Sequence, residues 1–145
     1  MGLSQASHSL RVATSGKGFT DITPDLRGWL HRISAEAGLL TAFVRHTSAS
    51  LLIQENADTN VRVDLMMALE RFAPEGARYV HAEEGPDDMP SHIKSMLTAV
   101  SLAIPVSSGD MVLGTWQGVY LVEHRTAPHD REIALSFIGS IQSTL

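Results

Sequence analysis

Apolar and polar positions alternate from His8 to Ser15, "HSLRVATS", and this period of two predicts a first strand. The pattern then changes. Leu26, Trp29, Leu30 and Ile33 recur at helical spacing and form one buried stripe, with Thr23 placed to cap the helix, Pro24 in its first turn and Gly38 to end it. "LLTAFVRHTSASLLIQEN" reads as a strand, a Ser-Ala-Ser link and a second strand. A second helix follows from about Asp58 to Phe72, with Val61, Leu65, Ala68 and Phe72 expected inside and Asp64 on the same stripe. A third helix starts near Pro90 and ends near Val100. The remainder is rich in strand, with hairpin signals at Ser108-Gly109-Asp110 and at Gln117-Gly118. "GVYLVEHR" is apolar on both alternating faces as far as Glu123, so that strand is expected to be covered on both sides. No repeat or linker interrupts the chain. The pattern predicts one α+β domain over residues 1–145: a mostly antiparallel, sandwich-like sheet with two or three packed helices.

Composition narrows the chemistry. The chain has 145 residues, 43% hydrophobic and 19% charged, which suits an ordinary globular domain with its own core. It contains no cysteine, so any metal must be held by nitrogen and oxygen ligands. The net charge of −5 and the scattered Lys and Arg exclude a nucleic-acid-binding face. No stretch has the length of a membrane span or the apolar core of a secretory signal, so no membrane partner and a cytoplasmic location are expected. Walker, Rossmann and nucleophile-elbow motifs are absent. Seven histidines supply the near-neutral acid–base and ligating groups.

Five segments concentrate polar chemistry. In "EGPDDMPSHIKS", Asp88 and Pro90 suit a helix start, while Asp87, His92 and Lys94 are left for a site. An imidazole in the first turn of a helix is favoured as the neutral base that ligation requires, and free amides with Lys94 make an anion site. In "RHTSAS", His46 extends the apolar face of Leu40, Ala42 and Val44. Thr47, Ser48 and Ser50 beside it serve equally as turn formers or as phosphate-binding hydroxyls. "GTWQGVYLVEHR" sets Thr115 and Gln117 around Trp116, and places Glu123 and Arg125 on one strand face with His124 on the other. "QEN" (Gln54 to Asn56) is polar without a distinct signature, and Asp64, on an apolar stripe, calls for a partner. "YVH" ends a short strand at His81, eleven residues before His92, a spacing that matches no compact zinc motif.

Taken together, "HTSASLLIQENAD", "EGPDDMPSHIKS" and "GTWQGVYLVEHR" resemble the YjbQ-like family over nearly the whole chain. The resemblance implies a small α+β fold that associates as a homotrimer. It also implies a divalent metal, zinc first and magnesium with a diphosphate substrate, and a secondary thiamine-phosphate synthase activity. That reaction joins a pyrimidine-methyl diphosphate to a thiazole phosphate and releases diphosphate. On this basis His81, His92 and His124 are the expected metal ligands, and His46, Asp87 and Glu123 the expected catalytic groups. Thr47, Ser48, Lys94, Thr115, Gln117 and Arg125 are the expected binding groups for a phosphorylated metabolite. The alternative is a non-catalytic binding protein for a phosphorylated small molecule or a metal.

Overall fold

The computed structural model describes residues 2–143; Met1, Thr144 and Leu145, part of the expected domain, lie outside the described residues. Five strands form one antiparallel sheet in the order β1 (Ser4–Thr14), β8 (His129–Ile141), β3 (Ala35–Val44), β5 (Ser101–Ser107) and β6 (Asp110–Met111). Three more, β2 (Gly18–Asp21), β7 (Gln117–Glu123) and β4 (Ala49–Glu55), form the second sheet in the order β2-β7-β4. Helices α1 (Thr23–Arg32), α2 (Thr59–Phe72) and α3 (Asp88–Leu97) complete the α+β domain.

The core lies where the sheets and α1 meet. Leu40, Ala42 and Val44 of β3 and Ile133, Leu135 and Phe137 of β8 are buried at period two. They meet Val119 and Leu121 of β7, Leu51 of β4, and Leu26, Trp29 and Leu30 of α1. β7 is the central strand of its sheet and is buried from Gly118 to Glu123, as its unbroken apolar run predicts. β5 turns into β6 through Ser108 and Gly109, both at positive φ (53° and 80°), which is the expected hairpin. Gln117-Gly118 makes no hairpin. It opens β7, where Gly118 lets the Tyr120 ring lie against the backbone.

The other boundaries move for local reasons. α1 ends at Arg32, because Ser34 takes the left-handed φ of 56° and Ala35 already belongs to β3. Gly38 therefore sits inside β3, not at a helix end. Thr23 does not cap α1: its hydroxyl accepts from Val119 N at 2.8 Å and fastens the helix to β7. α2 begins where expected, with the Asp58 carboxylate accepting from Asn60 N. Its expected inner stripe is only partly covered, however, with Val61, Leu65 and Ala68 half-buried. No residue of α2 is buried, Phe72 is 71% exposed, and Asp64 stands in solvent where it needs no partner. His81 ends no strand; it lies in the irregular segment between α2 and α3. No helix among the described residues is long and apolar enough to cross a membrane.

Candidate functional site

α3 begins at Asp88, so Asp88 and His92 stand one turn apart on one helix face. The α2–α3 segment brings His81 alongside them. His81 Nε2 lies 2.5 Å, and His92 Nε2 3.2 Å, from the same oxygen, Asp88 Oδ2. The imidazole centroids are 5.7 Å apart. His92 Nδ1 lies 2.9 Å from Thr47 O. A carbonyl can only accept, so Nδ1 carries a proton, and the ring turns Nε2 toward the carboxylate. Lone pairs facing a carboxylate oxygen need a proton or a cation between them. Asp88 is almost fully buried; burial alone would raise its carboxyl, but the His81 hydrogen bond and the charges of His92 and Arg125 hold it below the usual range. Two imidazole nitrogens and one carboxylate oxygen, with ligand atoms all within 4.8 Å, therefore fit a divalent cation held by nitrogen and oxygen.

Arg125 fixes this geometry from behind. Its Nε donates to Asp87 Oδ2 and its Nη1 to Asp88 Oδ1, both at 2.8 Å, and its Nη2 donates to Glu84 O at 3.0 Å. Thr126 N also donates to Asp87 Oδ2, at 2.9 Å. Burial works against the Asp87 charge, yet these hydrogen bonds bring its carboxyl down to about 2. The expected catalytic Asp87 and anion-binding Arg125 are thus brought together as an ion pair, with Asp87 Oδ2 taken by Arg125 Nε and Thr126 N and Arg125 spanning Asp87, Asp88 and the Glu84 carbonyl. Glu123 is closed in the same manner. It takes hydrogen bonds from Arg131 Nε at 2.7 Å, Thr14 Oγ1 at 2.6 Å and Arg125 N at 3.1 Å, and Arg131 Nη2 binds its second oxygen. Ser48 Oγ receives Arg131 Nη2 at 2.9 Å, so it too faces the protein.

His124 stands apart from the His81–Asp88–His92 group. It is completely buried, with Nε2 2.8 Å from Ser50 Oγ and Nδ1 without a partner. Thr98 Oγ1 lies 2.8 Å from Lys94 O and 2.6 Å from Ser50 Oγ. Because the carbonyl only accepts, the protons run in one direction: His124 Nε2–H to Ser50, Ser50 to Thr98, and Thr98 to Lys94 O. Burial, and then the nearby Lys94 charge, push the imidazole down to about 4. Lys94 is fully buried and paired with Glu70 of α2, so it does not reach out to an anion. His46 lies just beyond β3, and its Nε2 accepts from Glu132 N at 2.7 Å. Thr115 and Gln117 lie at the other end of β7, roughly 20 Å from Glu123 by strand rise. There they line a separate cleft of about 360 Å³ with Asp21, Arg27, Asn56 and Asp110.

Sequence reasoning took Asp88 for a cap and overlooked Arg131 and Glu70. The helix spacing of Asp88 and His92 was the signal for the first. For the second it was parity, which puts Arg131 on the inward face of Ile133, Leu135 and Phe137. Nothing local marks Glu70 as the partner of a lysine 24 residues away.

The family model described as "UPF0047 protein YjbQ-like" matches residues 8–140. A UPF0047 protein of Synechocystis is 46% identical over 138 residues, covering 94% of each chain. The YjbQ protein of Salmonella typhimurium is 42% identical, covering 90% of this chain and 96% of its own. Among solved structures, a conserved hypothetical protein of Thermus thermophilus superposes with a TM-score of 0.79 at 35% identity, covering 88% of this chain and 97% of its own. A YbjQ-like protein of unknown function from Sulfolobus solfataricus reaches 0.89 at 21% identity, covering 96% and 100%, which shows the shared fold.

Proposed function

The chain belongs to the UPF0047 YjbQ-like family, and on that footing we propose that it is a small metal-dependent enzyme acting on a phosphorylated metabolite. One observation carries the proposal: the nitrogens of His81 and His92 converge on a single oxygen of the buried, Arg125-clamped Asp88. His81, His92 and Asp88 would hold the cation, zinc first. When bound, it would supply positive charge to a phosphate or diphosphate group. The rest falls to the chain's own groups: Arg125 orients Asp88, the Thr47 carbonyl fixes the His92 tautomer, and His46 stands ready to contact substrate. Thiamine-phosphate synthesis, a C–N bond formed as a C–O bond to diphosphate breaks, is the activity to assay first. The partly uncovered length of α2 supports self-association, for which the homotrimer is the state to test. A cytoplasmic site of action is part of the proposal.

A second reading has its own support. Lys94 and Arg125, the cations expected to grip a leaving diphosphate, are engaged with Glu70, Asp87 and Asp88. That favours a protein that binds a phosphorylated ligand or a metal without turning it over.

Metal analysis of purified protein, with His81→Ala, His92→Ala and Asp88→Ala beside the wild type, tests the cation site. One equivalent in the wild type and loss in each variant is expected; metal retained by all three variants refutes the site. Released diphosphate from the two synthase substrates separates enzyme from binder, since a binder shifts the melting temperature and releases nothing.

A further inference from the structure

His46 is locked in one tautomer by a group that has no choice. The backbone N–H of Glu132 only donates, so the His46 Nε2 it meets at 2.7 Å must be a bare lone pair. The ring is then neutral, and its one proton sits on Nδ1. Burial, and then the positive charge of Arg131, favour that neutral state. Among the described residues Nδ1 has no protein partner, and it is not a buried orphan, so this N–H reaches solvent. The ring lines a cleft of about 340 Å³ together with Thr47, His92, Ser95, Met96 and Val100. Ser95 Oγ is turned away to Ala49 O at 3.2 Å. Met96 and Val100 are 73% and 40% exposed. The cleft thus offers apolar surface and one fixed imidazole donor, and no Lys, Arg, Asp or Glu side chain lines it. His92, shared with the cation group, forms one wall.

We propose that this cleft takes the uncharged part of the ligand, an apolar or aromatic ring bearing a carbonyl oxygen or ring nitrogen, and that His46 Nδ1–H is the donor that recognises that acceptor. The inference rests on the cation-site reading only for what lies beyond His92. The ligand class is then a molecule with two ends: a neutral ring seated against Met96 and Val100, and an anionic group directed toward His81 and Asp88. His46 acts as a hydrogen-bond donor and not as a base, because its one lone pair is already occupied.

The experiment uses the full chain, with benzamide as the probe for a ring carrying a neutral acceptor and benzylamine as the donor-only control. Nitrogen NMR near neutral pH should show His46 protonated at Nδ1 and bare at Nε2. Benzamide should shift that nitrogen and the Met96 and Val100 methyl signals saturably, and benzylamine should not. Two substitutions separate recognition from folding. His46→Gln places an acceptor where Nε2 stood, keeping the Glu132 bond while removing the donor, and should weaken benzamide roughly five- to tenfold with stability near wild type. His46→Asn places its amide near Nδ1, and should retain binding while losing stability. An Nε2-protonated or cationic His46, the reverse order for the two variants, or no benzamide shift at Met96 and Val100 up to its solubility limit overturns the proposal. Metal content, measured on the same samples, reports separately on the cation site. Full metal without the benzamide response sinks this inference alone; the response without metal sinks the cation site alone.

Discussion

Acid should unfold this protein through His124. The ring has no exposed surface, and its Nε2–H is committed to the Ser50–Thr98–Lys94 carbonyl chain. A second proton could go only to Nδ1, which has no partner, in a region that already holds the Lys94 charge. In the folded protein burial and Lys94 lower the imidazole from 6.5 to about 4, whereas the unfolded chain keeps the ordinary value. Between those limits the unfolded state binds the extra proton, so stability is complete above pH 6.5 and declines as pH falls toward 4. At about 1.4 kcal/mol per unit, the loss attributable to this one ring approaches about 3 kcal/mol, a large part of a typical domain's stability. Urea unfolding at a series of pH values across that window, on the wild type and on His124→Gln, measures it. Gln can still donate to Ser50 from near the Nε2 position and does not titrate. The wild type should therefore fall more steeply with acid than the variant, by close to that amount. Parallel stability curves would refute the reasoning, since the slope would then come from other groups.

Three further outcomes follow from the geometry. Arg125→Lys keeps the charge but cannot hold Asp87, Asp88 and the Glu84 carbonyl at once, so zinc affinity measured by competition with a chelator should fall roughly ten- to a hundredfold while the fold persists. The Lys94–Glu70 pair should respond asymmetrically in chemical denaturation: Glu70→Gln strands a fully buried ammonium and should cost about 3 kcal/mol, whereas Lys94→Met, which leaves the partly exposed carboxylate still paired with Lys17, should cost about 1 kcal/mol or less. Gly139 faces Gly38 across β3 and β8, where a Cβ would collide with Ala37 O, so Gly139→Ala should lower stability by about 3 kcal/mol; a variant within about 1 kcal/mol of wild type would show that these strands can separate.

What could be read from the chain, and what could not, divides by the range of the interaction. The α1 stripe and the doubly apolar β7 are written in local period, and the structure buries Leu26, Trp29 and Leu30 of the one and Gly118 to Glu123 of the other, with Ile33 half-buried just past the helix end. Helix ends depend on one or two dihedrals. Gly38 looked like a stop, but Ser34 took the left-handed position first and left Gly38 for a crowded strand crossing. α2 has the period of a covered helix, yet one copy of the chain covers it only in part, and a pattern that states what should be buried does not state against what. The site shows the same division. "GTWQG" and "EHR" are neighbours in sequence and so looked like one motif, but an extended strand carries its ends far apart: Gly114, Thr115 and Gln117 line a cleft, whereas Glu123 and His124 are buried. Conversely, His81 and His92 meet because a helix start and an irregular segment fold back on each other. The i, i+4 spacing of Asp88 and His92 hinted at the third member of their group, but no local pattern showed that His81 joins them or that His124 lies inside the protein.

On the proposed reading of that group as a cation site, the charges around it set an order of binding. Asp87 and Asp88 carry two negative charges and Arg125 one positive, so with neutral imidazoles the cluster holds a net −1. Lys94 and Arg131 add nothing outward, since Glu70 and Glu123 hold them. A phosphate group approaching the empty cluster meets repulsion and no free donor of opposite charge. A divalent cation reverses the sign to +1, and only then does a short-range attraction for phosphate exist. Anion binding should therefore be conditional on the metal, not merely assisted by it. Inorganic phosphate titrated into zinc-loaded and chelator-stripped protein, followed by calorimetry, gives the comparison. Heat of binding is expected from the loaded protein alone. Equal phosphate affinity in the stripped protein would mean that a cationic group outside this cluster receives the anion, and the charge argument for the site would fail.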